Sequence, residues 1–397
     1  MRVSTAGIHQ SALAGIMERN AELVKLQNQI ATGKRIRTPA DDPTGAVRAT
    51  ELDRLLSESS QYARNSDVAT NRLSLEEQTL GDVTSLLQRV RDLTVQANNA
   101  TVDATGRQSI ATEIKARLDE LMSLANHKDA NGEYLFAGFK TLTQPFGNAG
   151  PSVQYFGDQG TRSVQVGPSQ TVVDGHSGFE VFMDVPQGNG TFYTRAGAPN
   201  TGTGIIDTGS VTNPTAWVSD TYTITFTSAT TYEVRNAANT LVSSGAYTSG
   251  GSITFNGAQV TITGAPAAND TFQVGPSGSE DMFTTLNKLV ATLNRPGVPA
   301  SDSAQFSTEM GATLTQLDSA LDHVSSVRSS VGARLSVLQS TADGRADNDL
   351  ELKQSLSQLR DLDYADAVTK LNVQLVGLQA AQSSYAQLSQ LSLFNFL

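Results

Sequence analysis

From Met310 to Ala342 the chain places residues at alternating steps of four and three: Met310, Leu314, Leu317, Leu321, Val324, Arg328, Val331, Leu335, Leu338 and Ala342. Arg328 is the sole charged member, and nothing else in the chain restricts the fold as strongly. A 3.5-residue spacing keeps one seam of an α-helix turned toward a neighbour, so a seam this long requires a second long helix beside it. The matching partner lies far away in sequence, at Leu73, Leu80, Val83, Leu87, Val90 and Ala97. The first and last thirds of the chain are therefore expected to fold together, with the middle as an insertion.

The N-terminal arm begins with an amphipathic helix through Ile8, Ala12, Ile16, Arg19, Leu23, Leu26 and Ile30. TGKRIRTPADDP interrupts it. Pro39 disfavours helix at Thr38, and Asp42 before Pro43 reads as an N-cap followed by proline at the first helical position, so Pro39, Asp42 and Pro43 form a helix connector. The second helix runs through the Leu73 to Ala97 seam. NNATVDATG supplies the turn before a third helix through Ile110, Ile114, Leu118, Leu121 and Leu124. Asn131-Gly132 then predicts a hairpin, with Tyr134 and Phe136 alternating on a half-buried strand.

Residues 141–278 have a different composition, with 20 of the 33 glycines and only 11 charged residues in 138. Short runs fill the space between turns: SVQYFG, RSVQVG, FEVFMDV, TYTITFTS, TTYEVRN, SITFNG, QVTITG and TFQVG. Such runs predict a β-rich insert, a sandwich or barrel. QVGPS occurs at 165–169 and 273–277, which shared turn chemistry explains. Helix returns after Ser279. The expected class is α+β: a long antiparallel coiled-coil bundle from both arms, carrying a β-rich domain.

The last 27 residues contain no Asp, Glu, Lys, Arg or His. Five Gln and four Ser interrupt the tail, so it lacks the predominantly apolar run of about 20 residues that a spanning helix needs. Its apolar positions recur at helical spacing and require cover. The assembly interface predicted from the two ends comprises Ile8, Ile16, Leu23 and Ile30 with Leu371, Leu375, Leu378, Tyr385, Leu388 and Leu391. A helix packed on one face only does not recover its ordering entropy, so residues 1–42 and 360–397 are expected to be disordered in the monomer and to fold on assembly. Two different faces meeting head to tail build a helical polymer rather than a closed dimer. The alternative is an intramolecular bundle whose last helix covers its own core. Residues 43–140 with 279–359 form the expected coiled-coil domain, and 141–278 the β domain.

Catalytic constellations are not evident. A formal charge of -11 and a pI near 4.9 oppose nucleic-acid binding, and the chain has no cysteine. His9, His127, His176 and His323 stand apart without metal-ligand spacing. GTG at 202–204 lacks the rest of a dinucleotide fingerprint, and GHSG around Ser177 is no nucleophile elbow. Asp41 and Asp42 read as capping groups, and Lys34, Arg35 and Arg37 as cations that complement a helix end and pair with them. No catalytic, cofactor or metal residue is assigned, and neither a membrane anchor nor a Sec signal is expected.

MRVST, QNQIATGKRIRTPADDPTGA at 27–46, ANHKDANGEYLFAGFKT at 125–141, LDYADAVTKLN at 362–372 and the closing LSLFNFL resemble the flagellin-like axial proteins of bacterial flagella. The arms that carry the resemblance cover about two thirds of the chain. DTYTITFTSATTYEV and ITFNGAQVTITGAPAANDTFQV look like modules of hook-associated proteins. The stretch after the first helix and the final residues depart from filament flagellin, which is the near alternative. A surface adhesin with a β domain on a helical stalk is the alternative from another class. The resemblance implies a structural, extracellular flagellar subunit adapting hook to filament. It implies a ring within a helical assembly, formed with itself, a first junction protein and flagellin. It also implies export by the flagellar apparatus with a dedicated chaperone. The terminal helices would line the inner tube, and the β domain would face outward.

Overall fold

The computed structural model describes residues 5–99, 101–149, 152–295 and 300–390. The chain divides into two compact units, Met1–Arg64 with Ser340–Leu397, and Asn65–Gln339. Two long helices contribute to both, α2 (Pro43–Ala97) and α5 (Ala300–Arg360).

The first unit also holds α1 (Thr5–Thr32) and α6 (Tyr364–Gln390). Helix α1 stops where Gly33 turns left-handed at φ +68°, a conformation glycine adopts without the Cβ penalty. Main-chain bonds then tie the two joints of this unit together: Arg35 N–H donates to Arg360 O (2.7 Å) and Leu362 N–H to Gly33 O (2.9 Å). Helices α1 and α6 run antiparallel. The His9 and Tyr385 rings meet edge to face at 5.6 Å, and Gln374 donates to Glu22 at 2.6 Å. This register sets Ile16 level with Leu378 and Leu23 level with Leu371. In the same unit α2 and α5 are joined by Arg360 and Asp53 at 3.0 Å.

In the second unit the heptad seam meets the partner that its spacing predicts. Glu77 pairs with Arg328 at 2.6 Å and Asp318 with Arg91 at 2.6 Å, so α2 and α5 are antiparallel. Met310, Leu317, Val324, Val331 and Leu338 are buried with Leu73, Leu80, Val83, Leu87, Val90 and Ala97 in one core. The intervening Leu314, Leu321, Arg328 and Leu335 are half-buried, so the row at seven-residue spacing is the deeper one. Helix α3 (Ala104–Ala125) and helix α4 (Met282–Leu293) complete the bundle. Their N-caps are aspartates: Asp103 accepts from Gly106 N–H and Asp281 from Thr284 N–H, each at 2.7 Å.

Strands follow α3 as two hairpins, β1 (Phe146–Ala149) with β2 (Ser152–Tyr155), and β3 (Ser163–Gly167) with β4 (Gln170–Val173). After β5 (Val185–Pro186) come β6 (Phe192–Ala196), β7 (Ile205–Ile206), β8 (Ser210–Val211), β9 (Tyr222–Ser228), β10 (Thr231–Arg235) and β11 (Leu241–Ala246). The last four are β12 (Ser252–Phe255), β13 (Ala258–Thr263), β14 (Thr271–Pro276) and β15 (Ser279–Glu280). A five-stranded sheet, β11-β10-β9-β14-β6, covers a second sheet, β12-β13-β7 with β8 also on β13. Pairing is antiparallel throughout and the sheets do not close into a barrel, so the insert is a sandwich. Alternation fills its core, with Tyr222, Ile224 and Phe226 from β9 meeting Ala258, Val260 and Ile262 from β13.

Two local expectations fail. FEVFMDV is not a strand: Phe179–Met183 form a turn of π-helix, closed by Asp184 N–H donating to Phe179 O at 3.1 Å. Consecutive Val181 and Phe182 are both buried, whereas a strand would send one of them outward. Phe182 joins Phe136, Phe146 and Phe283 with ring centroids 5.2–6.1 Å apart. At Asn131-Gly132 the chain makes a tight turn with a single bridge, Lys128 to Tyr134, and Leu135, Phe136 and Ala137 are buried in succession rather than alternating.

The compositional change near residue 141 marks the change of secondary structure. The boundary between the cores falls later: Phe146, Val153, Val172 and Val185 share the helical core, and the sandwich core begins at Phe192.

Candidate assembly surfaces

The connector behaves as its residue types require. Asp42 Oδ1 accepts from Gly45 N–H (2.9 Å) and Thr44 Oγ1 (3.0 Å), and Pro43 is the first residue of α2. The Gly45 N–H holds the Asp42 carboxyl below its usual range. Asp41 faces the other way. Its Oδ2 accepts from Arg37 N–H (3.2 Å) and Thr38 N–H (3.0 Å), while Lys25 from α1 reaches Oδ1 at 3.0 Å. Lys25 is the largest cause of the fall in its pKa, followed by the Thr38 N–H. The basic patch only partly meets expectation. Arg35 lies 3.7 Å from Asp42, but its Nη2 donates to Leu359 O at 2.7 Å, so it links the two joints more than it neutralises the acids.

The predicted interface residues divide into two sets. Ile16, Leu23, Ile30, Leu371, Leu378 and Tyr385 are buried or half-buried on the inner seam where α1 and α6 meet. Leu375 is 44% exposed and lies outside that seam. The side chains of Ile8 and Leu388, and the whole of Leu391, lie outside the described residues, as do MRVS and the final seven residues.

Other residues supply the uncovered surface. On α1 the positions Gln10, Leu13, Met17, Asn20, Val24, Gln27 and Ala31 hold 3,4 spacing and are all exposed, Met17 at 66%. None carries charge, and the charged residues of α1 (Glu18, Arg19, Glu22 and Lys25) lie off this stripe. On α6 two such stripes occur. Thr369, Val373, Val376, Ala380, Ser383 and Gln387 form one; Val368, Asn372, Leu375, Gln379 and Gln382 form the other. The clue in the sequence is a second heptad row one residue behind the first: Met17, Val24 and Ala31 follow Ile16, Leu23 and Ile30. Its Gln and Asn members hide it from an apolar count.

The most buried charged cluster is structural. Glu76 and His176, each 3% exposed at the side chain, meet at 2.7 Å. Arg72 donates to the main-chain oxygens of Tyr134 and Leu135 at 3.2 Å, pinning the tight turn to α2. Asp174 holds Arg162 at 2.7 Å and raises its pKa, and burial pushes the Tyr155 hydroxyl up to about 12. Among the described residues no group of three or more His, Asp or Glu side chains is placed to hold a metal ion, and no helix is long and apolar enough to cross a membrane.

Comparison with known proteins gives the family. Residues 3–141 match the bacterial flagellin N-terminal helical region and residues 314–397 the C-terminal helical region. Residues 196–276 match the D2-like domain of flagellar hook-associated protein 1. The crystal structure of Xanthomonas campestris FlgL is 36% identical with a TM-score of 0.73, over 77% of this chain and 99% of that one. The chain belongs to the FlgL family. The flagellar junction protein FlgL from Legionella pneumophila is 32% identical with a TM-score of 0.73, over 79% of this chain and 100% of that one. Flagellar hook-associated protein 3 of Salmonella typhimurium is 27% identical over 395 residues, 99% of each chain. As an FlgL-family protein this chain is a structural component of the bacterial flagellum, and it assembles with other flagellar components.

Proposed function

We propose that the chain is the hook–filament junction subunit on which the flagellin filament assembles, and that it polymerises through the outer stripes of α1 and α6. The observation that carries this reading is the set of three exposed, uncharged heptad rows on an already paired helix hairpin. A row of Leu, Met and Val in water is costly, and uncharged glutamine at the remaining positions makes it compatible with a buried helix contact. The two rows of α6, one residue apart, face about 100° away from each other, so together with the α1 row they give each subunit more than one direction of contact, as a heterologous helical assembly requires.

The partners in this reading are further copies of the chain forming a ring, a first junction protein on the hook side and flagellin on the filament side. A flagellar export chaperone would cover the uncharged C-terminal helix before assembly, and export would proceed through the flagellar apparatus to the cell exterior. The terminal segments 1–42 and 360–397 would line the inner tube, and the sandwich would face outward. The role is mechanical.

The test is a deletion strain examined by electron microscopy, with the culture medium probed for flagellin. Bare hooks with flagellin in the medium are expected. Absence of flagellin from cells and medium would make the chain the filament subunit, and normal filaments would refute both roles.

A further inference from the structure

The helical core and the sandwich core share no residue. What joins them is a polar neck of two strands. Gln187 N–H donates to Gly278 O and Ser277 N–H to Thr191 O, both at 2.9 Å, and Ser277 Oγ donates to Gln187 O at 2.8 Å. This neck is attached to α5 by one side chain at both of its polar ends. Gln316 Nε2 donates to Pro186 O (3.2 Å) while Gln316 Oε1 accepts from Gly188 N–H (3.2 Å). One turn further on, Ser319 Oγ donates to Gly188 O at 2.9 Å.

We propose that Gln316 and Ser319 form a latch that fixes the angle of the sandwich on the bundle, and that the neck is a hinge when the latch opens. Gln316 is 7% exposed, so its amide would be left without hydrogen bonds if the neck moved away and water did not enter. That sets a preferred angle. Beside the neck lies a cleft of about 530 Å³, with Tyr193, Arg195 and Thr208 on the sandwich wall and Lys288, Arg295 and Glu309 on the bundle wall. Lys288 is held by Glu280 and Arg295 by Glu309, so among the described residues no ion pair crosses from wall to wall. The cleft is the space into which the sandwich swings. Gly188 supports the bend, since its φ is +60° and a Cβ there would stand 2.2 Å from Phe192 O. Hinge motions are absorbed at a few such positions outside packed cores, here Gln187 to Gly190 and Ser277 to Gly278.

The native chain has no cysteine, so two introduced cysteines report one distance. Spin labels at Ala238→Cys on the sandwich and Ser326→Cys on α5, both exposed positions, are read by pulsed dipolar spectroscopy in the full chain. The parent gives one narrow distance peak. Gln316→Ala with Ser319→Ala is expected to lose that peak to a broad distribution while circular dichroism keeps both helix and sheet signals. Gln316→Glu retains the acceptor for Gly188 but turns an oxygen toward Pro186 O, and broadening is expected there too. A narrow peak at the parent distance in either folded variant overturns the latch.

Discussion

Gly33 and Tyr364 occupy each other's space at the joint of the terminal unit: a Cβ on Gly33 would stand 2.8 Å from the Tyr364 hydroxyl oxygen and 3.8 Å from the ring carbon bearing it. The left-handed main chain at Gly33 adds a second objection to any side chain. Gly33→Ala is expected to destabilise the joint by about 1–2 kcal/mol from the backbone alone, with the collision on top. Tyr364→Phe removes only the oxygen, leaving an ordinary contact. A double-mutant cycle followed by urea denaturation should therefore show Tyr364→Phe restoring part of the loss, and strict additivity would mean that the tyrosine gives way freely.

The long seam sets up a contrast between packing and charge. Leu317 is fully buried between α5 and its neighbours, whereas Arg328 and Glu77 keep side-chain exposures of 36% and 32% although their atoms meet at 2.6 Å. Leu317→Ala is expected to cost about 2–5 kcal/mol. Arg328→Ala should cost about 1 kcal/mol or less, because solvent and salt screen the pair. Chemical denaturation at low and high salt checks both, and only the arginine variant's loss should shrink as salt rises.

How much of this was legible in the sequence depends on whether a residue's role is periodic. The seam from Met310 to Ala342 and its partner from Leu73 to Ala97 were legible because one helix face repeats a single requirement over many turns. Asp42-Pro43 was legible because the cap and the first helical position each accept few residue types. FEVFMDV was not, since its β-branched and aromatic residues favour a strand, and what selects the π turn is the burial of both Val181 and Phe182 in the helical core. The core boundary escaped as well: composition changes where helix gives way to strand, while core membership is set by where Phe146 and Phe182 pack. On the terminal helices the apolar positions were legible, but the division into an inner seam and outer rows needed the register of α1 on α6.

Acid should loosen the connector. Asp41 and Asp42 have folded pKa values held below the ordinary 3.8, Asp41 chiefly by Lys25 and Asp42 chiefly by the Gly45 N–H. In this range the unfolded chain binds more protons than the folded one, so the stabilisation is complete above about pH 4 and is lost as pH falls through the folded values. Asp42→Asn keeps an acceptor for the cap and removes the titration. Melting curves taken as pH falls below about 4 should show the parent losing stability faster than this variant, and parallel loss would place the acid sensitivity elsewhere.

The inner and outer rows of α1 make opposite predictions for the same chemical change. Leu23 is 6% exposed against α6, so Leu23→Glu buries a carboxylate and should break the pairing of α1 with α6, lowering helix content in whichever state, isolated or assembled, the two helices are paired. Met17 is 66% exposed, and Met17→Glu leaves the hairpin's own contacts in place. In the isolated subunit its circular dichroism should match the parent. Burial against a neighbour would change that: a carboxylate without a partner in a helix contact costs several kcal/mol, enough to stop polymer growth. Introduced into cells, Met17→Glu should yield a folded, exported subunit and hooks without filaments. Normal filaments with Met17→Glu would mean that the outer row faces water in the assembled flagellum, and the contact between subunits would then have to be sought on the two rows of α6 alone.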